Sequence, residues 1–251
     1  MKIALIGYGK MGRIIEQMAS AESIEVVSTI DPKSEGAKFK EITSEAVGGA
    51  DVCLDFSQPD ATVENVTRLA SYGKNVTLGV TGWEGEIDKI KSIVKEKNIG
   101  LVYAGNFSIG MNLFYEIVNY SSKLFNRFAQ YDVSGLEIHH NKKADSPSGT
   151  AKVLAGLLLK NMDSKNRAIF NLANQPVNPD ELIFSSIRCG QLPGEHRIYF
   201  DSFPDTVELT HRARNREGFA AGALLAAKWI TGKKGFYSFN GVLKNIINEE
   251  I

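Results

Sequence analysis

Ile3-Ala4-Leu5-Ile6-Gly7-Tyr8-Gly9-Lys10-Met11-Gly12 places four apolar residues in a row directly before a Gly-x-Gly-x-x-Gly turn. A short unbroken apolar run reads as a strand buried on both faces. Ile14, Ile15, Met18 and Ala19 follow at helical spacing, and a second strand pattern, residues 24–30, ends at Asp31, nineteen positions after Gly12. Strand, glycine turn, helix, strand and acid in that order predict a dinucleotide site. Gly7 permits the tight turn, Gly9 lets the backbone approach a pyrophosphate, and Gly12 lets helix and strand pack closely. The N–H groups at the helix start, around Tyr8, Lys10 and Met11, then hold the anion. A glycine turn that binds nothing is the rival reading. Asp31 would accept bonds from ribose hydroxyls and repel a 2′-phosphate, which leans the cofactor towards NADH. Lys33 could offset that repulsion, so NADH and NADPH both stay open.

Outward from this start, strand and helix patterns alternate over the first hundred residues. Apolar runs fall at 52–56, 76–80 and 99–104, with helices over 61–71 and 86–97 between them. That alternation predicts an α/β fold with a doubly wound parallel sheet, whose ligand sits at the strand ends. Gly79-Val80-Thr81 and Ala104-Gly105-Asn106-Phe107 lie at two such ends and are candidates to face the nicotinamide half. Ordinary connecting loops with turn residues would look the same.

From residue 112 the pattern changes. A helix is expected over 112–129, then a strand through Val133, Leu136 and Ile138, a helix from Ala151, a polar loop over 171–180, and three strands, with a hairpin turn at Asp201–Asp205 between the last two. This is a second domain of α+β type. The small apolar run Phe219-Ala220-Ala221-Gly222-Ala223 reads as a closely packed helix returning to the first domain. The expected division is 1–106 plus 217–251 for the dinucleotide and 107–216 for substrate and oligomerisation.

The chain has 251 residues, 43% hydrophobic and 23% charged, which suits a globular protein of two domains. Twenty-nine basic and twenty-nine acidic residues balance, so no overall field would hold nucleic acid or a membrane surface. No apolar run reaches membrane-spanning length and no signal-peptide pattern precedes the first strand, so a cytoplasmic protein is expected. Cys53 and Cys189 sit in apolar segments and read as buried free thiols.

His139-His140-Asn141-Lys142-Lys143-Ala144-Asp145-Ser146-Pro147-Ser148-Gly149-Thr150-Ala151 is the window richest in chemistry. Ser148 is a natural N-cap, and Ser148-Gly149-Thr150 at a helix start forms an anion cradle suited to a carboxylate. Lys143 can add a full charge, Asp145 can orient it, and His139 or His140 can supply a proton near neutral pH. Adjacent residues on a strand face opposite ways, so both histidines share one pocket only if the strand has ended or is bulged there. No metal is expected, since the histidines lack a Cys, Asp or Glu set at ligand spacing.

Residues Glu137 to Ala151 resemble the signature of the dihydrodipicolinate (4-hydroxy-tetrahydrodipicolinate) reductases. Asp55 to Pro59, Gly79 to Trp83, Gly105 to Gly110, Arg188-Cys189-Gly190, Gly194-Glu195-His196 and His211 to Arg216 extend the resemblance over nearly the whole chain. It implies hydride delivery from NAD(P)H to C4 of a cyclic dipicolinate-type dicarboxylate in lysine and diaminopimelate biosynthesis. It also implies His139 as proton donor, Lys143 as second acid, and His140, Gly149 and Thr150 as substrate-carboxylate ligands. The implied fold is a Rossmann domain from both chain ends with a central α+β domain, assembled as a homotetramer. The chain departs from the pattern in its compact glycine turn, in Val80 and Ser146, and in Asp31-Pro32, where an immediate arginine is usual. Two rivals are another two-domain NAD(P) dehydrogenase acting on an amino or hydroxy acid, and a dinucleotide-sensing protein without turnover. The first leaves the His-His-x-x-Lys and Ser-Gly-Thr combination unexplained, and the second has no use for His139 and Lys143.

Overall fold

A computed structural model describes residues 1–171 and 176–249. In chain order the elements are β1 (Lys2–Ile6), α1 (Lys10–Ala21), β2 (Glu25–Ile30), α2 (Ser44–Gly48), β3 (Val52–Asp55), α3 (Thr62–Ser71), β4 (Asn75–Leu78), α4 (Ile87–Glu96) and β5 (Gly100–Tyr103). Then come α5 (Ile109–Phe125), β6 (Asp132–His139), α6 (Gly149–Asn161), β7 (Arg167–Ile169), β8 (Glu181–Arg188), β9 (Glu195–Asp201) and β10 (Thr206–Arg212). The last are α7 (Glu217–Ile230), β11 (Gly235–Ser238) and α8 (Phe239–Glu249). Two compact units result, Met1–Ile109 with Arg216–Ile251, and Gly110–Asn215.

The first unit holds a six-stranded sheet in the order β11-β5-β4-β3-β1-β2, parallel throughout. Both its faces are covered. Ala4, Ile6, Cys53, Val76 and Leu78 feed one core, while Ile3, Leu5, Val52, Leu54 and Val102 feed the other. That is why these strands read as continuous apolar runs. Strand order reverses direction about β1, with β2 on one side and β3 on the other, so the crevice for a ligand opens at the carboxyl ends of β1 and β3. The small residues of α7 serve close approach: a Cβ on Gly222 would stand 1.8 Å from the Phe107 carbonyl oxygen. Buried Asn75 ties the late segment in, donating to the carbonyls of Ile230 (2.8 Å) and Lys233 (3.1 Å) and accepting from the Gly100 N–H (2.7 Å).

The second unit holds a mixed sheet in the order β10-β9-β6-β8-β7. β6 lies at its centre, antiparallel to β9 and parallel to β8. Its inner face carries Val133, Gly135, Glu137 and His139. Phe114, Val118, Leu154, Leu158, Phe184 and Phe200, from α5, α6 and the sheet, make the core beneath it.

Several expectations are corrected. The long helix runs Ile109–Phe125 rather than 112–129, because the Asn106 side chain accepts from the Ser108 N–H at 2.8 Å and turns the chain into the helix earlier. β7, β11 and α8 have no counterpart in the sequence reading. The strand expected through Val133, Leu136 and Ile138 is β6, with Glu137 and His139 on its inner face. Cys189 is exposed, although Cys53 is buried as expected; both are free. The polar loop expected over 171–180 falls in part, at 172–175, outside the described residues.

Candidate active site

In the first unit the glycine turn is fixed by backbone crowding. Gly7 has φ +84°, and a Cβ there would lie 2.6 Å from the Phe56 carbonyl carbon; one on Gly12 would lie 2.4 Å from the Gly7 oxygen. Gly9 has nothing within 4 Å of its missing Cβ, so the turn leaves open space at the one glycine expected to meet a pyrophosphate. This fits a dinucleotide at the start of α1, where Lys10 and Met11 begin the helix. Asp31 follows β2, and its carboxylate accepts from the N–H groups of Tyr8 (2.8 Å), Lys33 (2.8 Å) and Ser34 (2.9 Å). Burial raises its pKa, but those three bonds and the charge of Lys40 outweigh burial and hold it below the usual carboxylate range. Arg13 lies over the Tyr8 ring at 4.7 Å and reaches Ser34 Oγ at 3.4 Å, beside the same acid. Thr81 and Gly105 are exposed, and Gly79, Ala104 and Asn106 partly so, at the ends of β4 and β5. The Val80 and Phe107 side chains are buried in the core, which leaves their backbone to meet a ligand.

In the second unit the site gathers around one carboxylate. Glu137 is wholly buried. Its Oε1 accepts from the Ser148 N–H (2.9 Å), Ser186 Oγ (2.7 Å) and Arg188 Nη2 (3.1 Å). Its Oε2 lies 2.9 Å from His139 Nδ1 and 3.8 Å from His196 Nε2. The 2.9 Å approach lacks the alignment of a full hydrogen bond, so that contact is chiefly electrostatic. Burial pushes the Glu137 pKa up, yet contacts from His139, Ser148 and Ser186 more than offset it and hold the carboxyl far below its ordinary value. Burial first, and His139 second, push the His196 imidazole down to about 3, so it is neutral at physiological pH.

β6 ends at His139, and His140 stands just beyond it. His140 is half-buried, with its Nδ1 lacking a hydrogen-bond partner. Lys143, in the following loop, pairs with Asp145 at 2.6 Å. Burial raises the Asp145 pKa, but the Lys143 ammonium lowers it by more. Arg188 Nη2 also donates to the Asp145 carbonyl at 2.7 Å, which fastens this loop to β8. Ser148 caps α6 as expected, its Oγ accepting from the Ala151 N–H at 3.1 Å. Gly149 opens the helix, exposed and with nothing within 4 Å of its missing Cβ, and the Thr150 side chain hydrogen-bonds Tyr115.

Glu137, Ser186, Arg188 and His196 received no site role from the sequence. One signal was present: Glu137 stands two residues before His139, hence on the same face of the strand. Arg188 and His196 stand in two of the short segments that carry the resemblance, while Ser186 on β8 belongs to none of them. The expectation of no metal rested on spacing along the chain. Across strands, Glu137, His139 and His196 bring three ligand atoms within 4.8 Å of one another. Arg188 already supplies the counter-charge to Glu137, which disfavours a cation there.

Residues 1–107 match the family described as dihydrodipicolinate reductase, N-terminus, and residues 110–243 match its C-terminus. The 4-hydroxy-tetrahydrodipicolinate reductase of Christiangramia forsetii is 33% identical over 246 residues, covering 98% of this chain and 99% of its own. That of Archaeoglobus fulgidus is 35% identical over 261 residues, covering 97% and 100%. Among solved structures, a dipicolinate-bound dihydrodipicolinate reductase from Paenisporosarcina sp. TG-14 superposes with a TM-score of 0.77 at 22% identity, over 95% of this chain and 97% of that one.

Proposed function

Because the chain belongs to the dihydrodipicolinate reductase family, we propose that it reduces a cyclic dipicolinate-type dicarboxylate to tetrahydrodipicolinate, as a 4-hydroxy-tetrahydrodipicolinate reductase of lysine and diaminopimelate biosynthesis. The observation that carries the reading is one loop joining a histidine at a strand end, an ion-paired lysine and an open Ser-Gly-Thr helix start. The strand ends of the first unit would hold NADH or NADPH, which would supply hydride to C4 of the ring. His139 gives the proton that completes the addition, and Lys143 is the second acid. His140, Ser148, Gly149 and Thr150 hold substrate carboxylate, Gly149 through its open helix-start N–H and Thr150 through N–H and hydroxyl.

The ionised Asp31 favours NADH, while Lys33 and Arg13 beside it offer counter-charge for a 2′-phosphate. The exposed stripe Leu113, Ile117, Tyr120 and Leu124 on α5 supports a homotetramer built through the second unit. No described helix is long and apolar enough to cross a membrane, in keeping with a cytoplasmic enzyme.

The test is oxidation of each nicotinamide with substrate generated in situ by the upstream synthase. Turnover is expected with at least one cofactor, and His139→Gln should lower kcat by about 10² to 10⁴. Absence of turnover with both would overturn the reading.

A further inference from the structure

We propose that Glu137 is the positioning residue of this site, a single buried carboxylate that holds both the His139 imidazole and the start of the helix meant to receive substrate. The proposal rests on the reading of His139 as proton donor. Its first support is the division of labour between the two oxygens. Oε1 is filled by three donors, the Ser148 N–H, Ser186 Oγ and Arg188 Nη2. Oε2 has none of these and faces the two imidazoles, His139 Nδ1 at 2.9 Å and His196 Nε2 at 3.8 Å. A carboxylate on the inner face of a central strand is costly to bury, and an apolar side chain of similar volume would serve packing as well or better. The cost buys geometry: Ser148, the cap of the cradle helix, and His139 are referred to the same two atoms.

The second support is on the opposite edge of the His139 ring. Gly194 has φ +153°, and a Cβ there would stand 3.0 Å from His139 Nε2. Glycine at this position keeps a side chain away from Nε2, while Glu137 occupies the Nδ1 side. Nε2 is therefore the atom from which the proton leaves, and Nδ1 the one at which the anion steadies the charged ring before transfer. The charged and titratable groups around His139 are Glu137 on its own strand, Arg188 from β8, His196 from β9, and the Lys143–Asp145 pair in the loop. Arg188 is bound to Oε1, and His196 is held neutral by burial, so neither takes the place of His139 at Oε2.

Glu137→Gln, Glu137→Asp and His139→Gln, with the Glu137→Gln/His139→Gln double variant, test this by steady-state kinetics across pH. Glu137→Gln is expected to lower kcat roughly 10²-fold or more, the scale of losing the group that orients a catalytic histidine. KM for the nicotinamide should be unchanged, and the pH limb governed by the proton donor should move to lower pH. In the His139→Gln background the same change should cost little more in kcat, because the amide oxygen of Glu137→Gln still accepts from the Ser148 N–H and the loss in turnover runs through one imidazole. A Glu137→Gln enzyme with wild-type kcat and pH limb would overturn the proposal, as would a loss that multiplies fully with that of His139→Gln. If the amide variant does not fold, Glu137→Asp serves: it should keep the wild-type pH limb with kcat about tenfold lower, and wild-type kcat would again overturn it. An unimpaired His139→Gln would instead remove the proton-donor reading itself, which keeps the two failures distinct.

Discussion

The two helix starts of this protein are shaped by different physical means. At Gly7–Gly12 the backbone is pressed against itself: hypothetical Cβ atoms on Gly7 and Gly12 fall 2.6 and 2.4 Å from backbone atoms, and only Gly9 faces open space. At Ser148–Thr150 nothing crowds Gly149, and shape comes from side chains instead, with Ser148 fixed by Glu137, and Glu137 by Ser186 and Arg188. The first turn is rigid because it has no alternative packing. The second is rigid only while a hydrogen-bond network from three strands and a helix stays satisfied, and so it is exposed to single side-chain changes and to pH.

Three substitutions test this difference. The largest effect is expected of Gly7→Ala, which combines positive φ with a backbone collision and should cost about 3 kcal/mol or more in a urea melt. A wild-type melt would mean that the turn is not held as described. Gly149→Ala should do the reverse. Alanine favours a helix position, so Tm should hold or rise, while the added methyl should fill the open space at Gly149 and raise substrate KM about tenfold, some 1.4 kcal/mol. An unchanged KM would mean that the space at Gly149 is not where substrate binds.

The smallest effect concerns pH. His196 has its folded pKa depressed from 6.5 to about 3, so between those values the unfolded chain binds the extra proton. Its contribution is full above pH 6.5 and declines as pH falls through that window, by about 0.8 kcal/mol at pH 6. Glu137, also depressed, adds a loss only below its ordinary value of 4.5. His196→Gln should therefore flatten Tm between pH 7 and 5, measured by calorimetry, and an unaltered slope would contradict the buried neutral imidazole.

The same contrast explains what could be read from the sequence. The strand, turn, helix, strand and Asp31 of the first unit are local, each defined within a few residues, so period and glycine placement identify them. The cap at Ser148 and the Lys143–Asp145 pair are local too. Glu137 finds Ser186 and Arg188 forty-nine and fifty-one residues away, so its environment exists only once β6 and β8 are side by side. β11 offers four half-buried residues, Gly-Phe-Tyr-Ser, with neither alternation nor an apolar run, and becomes a strand because the β5 edge is there to pair with.

That late pairing has a consequence for synthesis. When the first 109 residues leave the ribosome, β5 presents an unpaired edge, and the Asn75 side chain lacks the Ile230 and Lys233 carbonyls to which its amide donates. The strand that closes the edge follows only after the whole second unit has been made. A nascent chain of this protein must therefore keep a parallel sheet one strand short from pairing with its neighbours on a polysome, and a ribosome stalled within the second unit would release a fragment prone to edge-to-edge aggregation.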